Sequence, residues 1–215
     1  MVIKTRARSQ SAKEDRRNLL LAVARELFEQ CAMAFSMLEV AQKASLAKGT
    51  TYLYFATKEE LLLELLSQEL EAWFVELHHI LEPALALEPS KNLAIQIANS
   101  ISSRQTLVSL FAVQVSILEQ NLSYEAALKF KTFLLEQSSS VIPKLEAIFP
   151  NSNGLEMLQT INALVIGLAQ MSRPVGTMQL VLQRPEIAAM HVSFAVALEH
   201  SLSTLFMGLA SKGKL

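Results

Sequence analysis

The sequence predicts an all-α protein with two parts, a small N-terminal three-helix unit and a larger helical domain. Apolar residues recur at three- and four-residue steps along nearly the whole chain, which is the spacing of one face of an α-helix. Two capping boxes, Ser36–Glu39 and Thr57–Glu60, mark helix starts, and strand-like alternation is almost absent. The 215 residues, 51% of them hydrophobic and 18% charged, can bury a large core without disulfides or metal.

Each predicted helix has its own signal. The first turns Leu20, Ala24 and Phe28 inward from about Arg17 onward, and a short helix follows the Ser36 box. A second short element begins at Ala47, and a long helix opens at the Thr57 box. Further helices are predicted at 91–102, 104–121, 124–148 with a break near Pro143, 155–172 and 185–210.

The composition argues against a membrane-spanning or secreted chain. The longest uncharged stretch, Met157 to Ser172, contains several amide and hydroxyl side chains and is shorter than the roughly 18 to 20 apolar residues of a bilayer span. The N-terminus has no apolar segment of signal-peptide type, so we expect a cytoplasmic protein with no membrane partner. The single cysteine, Cys31, excludes an internal disulfide and a cysteine-based zinc cluster, and we predict neither metal nor cofactor.

Residues 36–55 have the layout of a helix-turn-helix motif, with a capped helix, a tight turn and a second short helix. Val40, Leu46, Leu53 and Phe55 are expected to hold the two helices together. Residues 1–58 carry ten lysines and arginines against five acidic residues, although the whole chain has a net charge of −1. A basic unit in front of an acidic, apolar remainder indicates that the N-terminus meets a polyanion.

The second short helix carries side chains that suit DNA. Lys48 suits a phosphate or a guanine edge, Gly49 a close approach of the backbone, and Thr50 a phosphate or a thymine methyl. Tyr52 and Tyr54 suit phosphate oxygens. Lys58 lies in the first turn of the next helix, where an ammonium and backbone amides can share one phosphate. The alternative from spacing alone is that the aromatic residues belong to a core.

Residues 16–66 resemble the DNA-binding domain of the tetracycline-repressor (TetR) family, and the stretch KGTTYLYFATKEELL is close to the family's most specific signature. The resemblance implies a homodimeric transcription regulator, a repressor, that binds a palindromic double-stranded DNA operator. By position it implies that Ser36 and Met37 open the supporting helix near the DNA backbone and that Lys58 anchors a phosphate. It assigns the recognition helix to Lys48, Gly49, Thr50, Tyr52 and Tyr54. The expected division is a flexible basic arm at 1–12, a DNA-binding domain at 13–60 and an effector-binding and dimerisation domain at 61–215.

The sequence departs from the family pattern at a few positions. The glycine usual after the first helix is replaced around Cys31–Ala32, and the glycine usual in the turn is Ser45. Ser45 must therefore adopt a left-handed conformation at some cost or avoid it. Met37 and Leu38 stand where relatives often carry polar groups that read bases, so direct readout rests on few side chains.

The last two predicted helices are apolar at nearly every angle, so each must be covered on several sides. Packing against their copies as a four-helix bundle about a two-fold axis would cover them and produce a homodimer. The predicted dimer interface is Leu158, Ile161, Val165, Leu168, Phe194, Leu198, Leu202 and Leu205. The alternative is a monomer whose core buries both helices.

A pocket for a small-molecule effector is expected between the long helix and the dimer pair. Its predicted lining is Trp73, Phe74, Phe111, Gln114, Phe130 and Phe133. Since Arg104 is the sole charged residue from Asn92 to Leu118, the effector is expected to be largely apolar and to release the protein from DNA. The same aromatic spacing also suits an ordinary core.

Two other function classes remain open from the sequence, a helical-bundle enzyme and an all-helical protein-interaction adaptor. Glu76 and His79 have the spacing of one helix of a di-metal site, but a second Glu-x-x-His is missing. Surface pairing accounts better for them, and the chain has neither a phosphate-binding glycine loop nor a Gly-x-Ser-x-Gly motif. We therefore expect no enzymatic activity.

Overall fold

Ten α-helices and two short 3₁₀ turns make up the parts of the chain that the computed structural model describes, residues 2–84 and 91–212. The side chains of 10–84 and 92–211 are described. The helices are α1 Val2–Cys31, α2 Met37–Lys43, α3 Lys48–Tyr52, α4 Lys58–Ala84, α5 Lys91–Ser102, α6 Gln105–Gln114, α7 Tyr124–Ile148, α8 Gly154–Met171, α9 Thr177–Val181 and α10 Phe194–Lys212, and the 3₁₀ turns are Leu118–Asn121 and Pro185–Met190. The predicted all-α fold with a helix-turn-helix unit at its N-terminus is confirmed.

The N-terminal unit packs α1, α2 and α3 around one apolar centre. Leu20, Val40 and Phe55 are almost completely buried there. The predicted box at the start of α2 is confirmed, because the Glu39 amide donates to Ser36 Oγ at 3.3 Å and the Ser36 amide donates to Glu39 Oε2 at 2.8 Å. This pairing satisfies two otherwise free amides and fixes where α2 begins.

The box at the start of α4 is formed only in half. The Glu60 amide donates to Thr57 Oγ1 at 3.0 Å, as predicted. The Glu60 carboxylate, however, accepts from the Ala56 amide at 3.2 Å and from Ser123 at the start of α7. Glu60 therefore joins the two parts of the protein instead of closing a local box.

Two residues that replace family glycines adopt left-handed conformations. Ala32 has φ 51° and Ser45 has φ 54°. A residue with a Cβ pays roughly 1–2 kcal/mol for this conformation. Both turns keep their geometry because α1, α2 and α3 are packed on either side of them.

Replacing Ser45 with glycine is expected to raise the free energy of unfolding by about 0.5–1 kcal/mol, because glycine adopts φ 54° without steric strain. Urea denaturation of both proteins measures the change. The matched control is Ser139→Gly, in the interior of α7, which is expected to lower the same quantity by about 0.5 kcal/mol. A loss of stability in the Ser45 variant would contradict the strain assigned to this turn.

The larger domain is built on α4, which packs against α1, α5, α6 and α7. In turn α10 packs on α5 and α8, and α6 packs on α8. Phe149 and Phe206 meet in the core with ring centroids 5.2 Å apart. Trp73 of α4 is also buried, with its Nε1 donating to Ser100 Oγ at 3.0 Å. Predicted as a pocket residue, Trp73 is instead part of the α4–α5 core.

Four predicted boundaries differ from the structure. Residues 2–12, expected as a flexible arm, are helical, since they contain no glycine or proline and many helix formers. The helix expected at 104–121 ends at Gln114, because buried Leu118 turns inward on a 3₁₀ turn. Pro143 lies inside an unbroken α7, where the burial of flanking Val141 and Leu145 offsets the roughly 3 kcal/mol cost of the proline. The helix expected at 185–210 is not continuous, because residues 191–193 separate the 3₁₀ turn Pro185–Met190 from α10, which begins at Phe194.

One stretch, 185–211, is long and apolar enough to cross a membrane by composition alone. It comprises a 3₁₀ turn, a break and α10, whose Leu198, Leu202 and Phe206 are buried in the protein core. These three side chains account for the buried part of its apolar character, whereas Val196 and Met207 of the same stretch are exposed.

Candidate nucleic-acid interface

The recognition helix α3 is fixed from its inner side. Thr51 is fully buried, and its Oγ1 donates to the carbonyl oxygen of Lys48 at 2.7 Å. With Thr51 inward, Lys48 and Gly49 at the start of the helix are exposed. The ammonium of Lys48 lies 5.9 Å from the ring centre of Tyr52, which is 44% exposed. Lys48, Gly49 and Tyr52 therefore present a cationic and aromatic surface to solvent.

Thr50 and Tyr54 are half-buried, so only part of each side chain is accessible. Leu53 is 81% exposed, although the sequence predicts it as an apolar contact inside the motif. The burial of Thr51 and Phe55 on the opposite side turns Leu53 outward. An exposed leucine next to Tyr52 suits the methyl group of a thymine, and sequence reasoning missed it because spacing alone does not orient so short a helix.

The supporting helix offers fewer contacts than predicted. Met37 is only 6% exposed and belongs to the core, so its side chain cannot reach DNA. The hydroxyl of Ser36 is engaged with Glu39, although it is exposed. Leu38 is 44% exposed and, unlike Met37, presents its side chain to solvent. The correction follows from the capping box, which turns the first residue of α2 inward.

Lys58 is tied to the protein itself. Its Nζ donates to the carbonyl oxygens of Met33 at 2.8 Å and Phe35 at 3.0 Å, and lies 5.2 Å from the ring centre of Phe35. These contacts join the start of α4 to the loop after α1. Because an ammonium has three N–H donors, one remains for the phosphate contact that the sequence predicts.

Much of the basic charge in this unit is neutralised internally. Arg17 pairs with Glu64 at 2.8 Å, Lys43 pairs with Glu26 at 2.6 Å, and Arg25 pairs with Glu69. The Lys43 contact lowers the pKa of Glu26, which keeps that carboxylate charged. Within the described side chains, Lys13, Arg16 and Lys48 form no such pair. Together with Lys58, which also forms no ion pair, they are the cations among the described side chains of this unit that remain for a polyanion.

A cavity of about 320 Å³ lies between α4, α6, α7 and α8. The predicted pocket residues Phe74, Phe111, Gln114 and Phe130 line it. Phe133 does not line it, because that side chain turns toward the opposite face of α7, where Tyr54 and Phe55 lie. Phe133 and Trp73 are therefore removed from the predicted lining of the pocket.

The polar group in this cavity is Gln114, which is 4% exposed. Its Nε2 donates to Glu119 Oε1 at 2.9 Å, and the same carboxylate oxygen accepts from Lys131 Nζ at 2.9 Å. A carboxylate only accepts, so the amide must turn its NH₂ toward Glu119. Gln114 Oε1 is left buried without a hydrogen-bond partner among the described residues.

Four of the eight residues of the predicted dimer surface are corrected, because they are buried within the single chain. Ile161, Val165, Leu198 and Leu202 are at most 5% exposed. Leu158, Leu168, Phe194 and Leu205 are half-buried against the same core. The opposite face of α10 is solvent-exposed and carries Val196, His200 and Met207, and on α8 the exposed residues include Gln159 and Ala163.

The carboxylate of the Glu76–His79 pair has a structural partner. Glu76 Oε2 accepts from Arg104 Nη2 at 2.7 Å and from Nε at 3.2 Å, which links α4 to the start of α6. His79 is exposed. Among the described residues no group of three or more histidine, cysteine or acidic side chains could hold a metal ion.

Two family models match the chain in tandem. Residues 20–65 match "Bacterial regulatory proteins, tetR family", and residues 67–213 match "Tetracyclin repressor-like, C-terminal domain". The chain is also similar in structure to a TetR-family transcriptional regulator from Syntrophomonas wolfei, with a TM-score of 0.54 and 18% identity over 93% of this chain and 96% of that one. For a second such regulator, from Mesorhizobium loti, the TM-score is 0.51 and the identity 14%, over 92% and 96% of the two chains. A comparison with curated proteins found no match.

The two models divide the chain near residue 66, inside α4, and between them they include the helix-turn-helix unit and the larger domain. The two solved structures have the same fold over almost their whole length. On the strength of the family models, the chain belongs to the TetR family and is a DNA-binding transcriptional regulator.

Proposed function

We propose that the protein is a cytoplasmic homodimeric repressor that leaves a palindromic operator when a neutral, largely apolar ligand enters the Gln114 cavity. The observation that carries the proposal is a set of polar contacts between α7, which lines the cavity, and the first turns of α4, which hold the recognition unit. A ligand that moves α7 therefore acts on the helix that begins at Lys58.

The first of these contacts joins Glu60 to Ser123, the residue before α7. Ser123 Oγ donates to Glu60 Oε1 at 2.7 Å, and the Ser123 amide donates to the same oxygen at 3.2 Å. Burial acts to raise the pKa of Glu60, but these hydrogen bonds and that of Ala56 outweigh it and leave the pKa below its usual value. The carboxylate is thus charged at neutral pH, and the contact is maintained.

The second contact is centred on Glu64, one turn further along α4. Its carboxylate pairs with Lys129 of α7 at 2.9 Å and with Arg17 of α1 at 2.8 Å. Burial acts to raise the pKa of Glu64, but the two cations lower it by a larger amount. The pKa therefore lies below its usual value. One glutamate therefore connects the pocket helix, the long helix and the DNA-binding unit.

The class of effector follows from the lining of the cavity. Phenylalanine and leucine side chains form most of the wall, and the Lys131 charge is already paired with Glu119. Gln114 Oε1 is an acceptor in need of a donor. A buried acceptor without a partner costs about 1–3 kcal/mol, which a ligand hydroxyl or N–H would recover. The cavity thus favours a neutral molecule with an apolar body and one hydrogen-bond donor.

Binding of 4-butylphenol is expected to be at least about tenfold tighter than binding of its methyl ether, because only the phenol donates to Gln114 Oε1. Gln114→Leu is expected to remove this preference while retaining both ligands. Isothermal titration calorimetry measures the affinities, and fluorescence anisotropy of labelled operator DNA measures release. Equal affinity of the wild type for the two ligands would contradict the role of Gln114. Binding without release from DNA would contradict the regulatory link and leave the DNA-binding function intact.

The dimer in this proposal uses the outer face of α10 and the adjoining face of α8. Val196 and Met207 are 68% and 59% exposed, and His200 lies between them on the same helical face. In a dimer built on this face, the two recognition helices must lie about 34–36 Å apart, one turn of DNA, to enter successive major grooves. The residues inside the protomer core, such as Leu198, support this face without touching the partner.

Gly49→Ala is expected to weaken operator binding by about tenfold or more without loss of stability. A Cβ at Gly49 meets no atom of the protein within 4 Å, and alanine favours the helix by about 0.5–1 kcal/mol. The loss would come from a close approach of the backbone to DNA. Selection from random duplexes with the wild type first supplies the operator, which is expected to be an inverted repeat. Anisotropy on that operator and urea denaturation then compare the two proteins, and unchanged affinity would remove Gly49 from the interface.

A further inference from the structure

A larger cavity lies where the DNA-binding unit meets the C-terminal domain. Its volume is about 1,040 Å³, and its walls come from the end of α1, the loop Ala32–Ala34, α6 and the segment from the end of α8 through α9. The wall is mainly apolar, with Phe28, Ala112, Val113, Ile117 and Leu182 among its residues. A smaller cavity of about 310 Å³ shares Ser172, Arg173 and His191 with it. We call the two together the junction cavity.

Among the described residues, the lining of the junction cavity contains a positive charge and no acidic side chain. Among the described residues that line it, Arg173 is the one with a permanent charge, and aspartate and glutamate are absent. Arg173 takes part in no ion pair formed by the described side chains. Arg173 is half-buried, and this partial burial lowers the pKa of its guanidinium. One end of the cavity therefore carries a positive charge that has no acidic partner among the described side chains.

The guanidinium is held in place by a neutral relay. Gln105 Nε2 donates to the carbonyl oxygen of Ser102 at 2.8 Å, which turns Gln105 Oε1 toward Arg173. Arg173 Nη2 donates to that oxygen at 2.9 Å. A guanidinium has five N–H donors, so most of them remain for a ligand. The relay orients Arg173 without neutralising it.

Two further features of the smaller cavity suit an anionic group. Ser102 Oγ is buried there without a hydrogen-bond partner among the described residues. The first residues of the 19-residue helix α10, Phe194 and Ala195, also line this space. The first amides of a helix have no partner within the helix and lie at the positive end of its dipole. Arg173, Ser102 and the start of α10 thus line the same small cavity.

We propose that the junction cavity binds an amphipathic monoanion, with its acidic group in the smaller cavity on Arg173 and its apolar body along α6 and α9 in the larger one. A neutral ligand would leave the guanidinium without a counter-charge, and a small polar anion would leave the apolar wall exposed to water. The junction cavity shares no lining residue with the Gln114 cavity. It is a second ligand site, independent of the effector site proposed above.

The test uses 4-butylbenzoate, its neutral isostere 4-butylbenzamide, and acetate as a small anion. Cys31, the single cysteine of the chain, is exposed and lines the larger cavity, so its alkylation by iodoacetamide reports occupancy of this site. We expect 4-butylbenzoate to bind at least about tenfold more tightly than 4-butylbenzamide in calorimetry and to slow alkylation of Cys31, because a hydrogen bond between two charged groups is stronger than one to a neutral group. Acetate is expected to give neither effect at the same concentration.

Arg173→Met is expected to weaken 4-butylbenzoate binding at least about tenfold and to abolish its preference over the amide. The matched control is Arg184→Met, since Arg184 lies immediately before the 3₁₀ turn Pro185–Met190, is exposed and pairs with Glu186 at 2.6 Å. It is expected to bind like the wild type. Equal affinity for acid and amide, wild-type affinity in Arg173→Met, or binding without protection of Cys31 would each overturn the proposal. If Arg173→Met does not fold, the acid–amide ratio and Cys31 protection in the wild type decide it.

Discussion

Met207→Arg is expected to convert the protein to a monomer and to weaken operator binding about a hundredfold or more. Met207 lies on the exposed face of α10 with Val196, and a two-fold axis along that face would bring the two introduced arginines together in an apolar contact. A monomer binds one half-site and loses the gain of about 10²–10⁴ that comes from linking two binding units. Sedimentation velocity measures the oligomeric state, and anisotropy with labelled operator measures the affinity.

The matched control is Val75→Arg on α4, where another exposed apolar residue outside the proposed dimer face receives the same charge. It is expected to leave the protein dimeric and its operator affinity within about threefold of the wild type. A Met207→Arg protein that stays dimeric at micromolar concentration would place the dimer contact elsewhere. A monomer that binds the full operator as the wild type does would contradict the requirement for two linked recognition helices.

Lys58→Met is expected to lower the free energy of unfolding by about 2 kcal/mol and operator affinity by about tenfold. The substitution removes the hydrogen bonds from the ammonium to the Met33 and Phe35 carbonyls, and bonds from charged donors contribute about 1.5–3 kcal/mol, less for this half-exposed group. The loop after α1 would then lose its connection to α4. Urea denaturation and anisotropy measure the two effects.

Lys43→Met is the control for charge, because it removes another cation of the same unit from an exposed pair with Glu26. Such a pair contributes about 0–1 kcal/mol, so little change in stability is expected. If Lys58→Met lowered DNA affinity without changing stability, Lys58 would act only as a phosphate contact. Loss of both properties is the expected result.

Local signals in the sequence predicted the DNA-binding unit well. The Ser36 box, the short recognition helix and the long helix after Thr57 depend on residues within a few positions of one another, and the first box forms as predicted. The cost at Ser45 was also foreseeable, because its family position requires a positive φ. The direction of individual side chains was harder to predict, since residue spacing around a five-residue helix did not show that Leu53 points outward.

The larger domain was less predictable because both faces of its last helices are apolar. Periodicity identified Leu198 and Val196 as helical residues, but it could not show which one faces the protomer core. Gln114, a polar residue in an otherwise apolar helix, was predicted to line a pocket, and it lies at a cavity, while its contact with an effector remains a prediction. Trp73 and Phe133 have no such signal, and only the packing of α4 and α7 places them elsewhere.

The length of α4 has a mechanical consequence. Leu70 and Phe74, which touch the Gln114 cavity, lie about 20 Å along the helix axis from Lys58 at 1.5 Å per residue. A tilt of α4 by about 5° at the cavity would thus displace its Lys58 end by about 2 Å. In a symmetric dimer the separation of the two recognition helices would change by up to twice that amount. A modest rearrangement around a buried ligand is therefore enough to move the two recognition helices away from the spacing of successive major grooves of DNA.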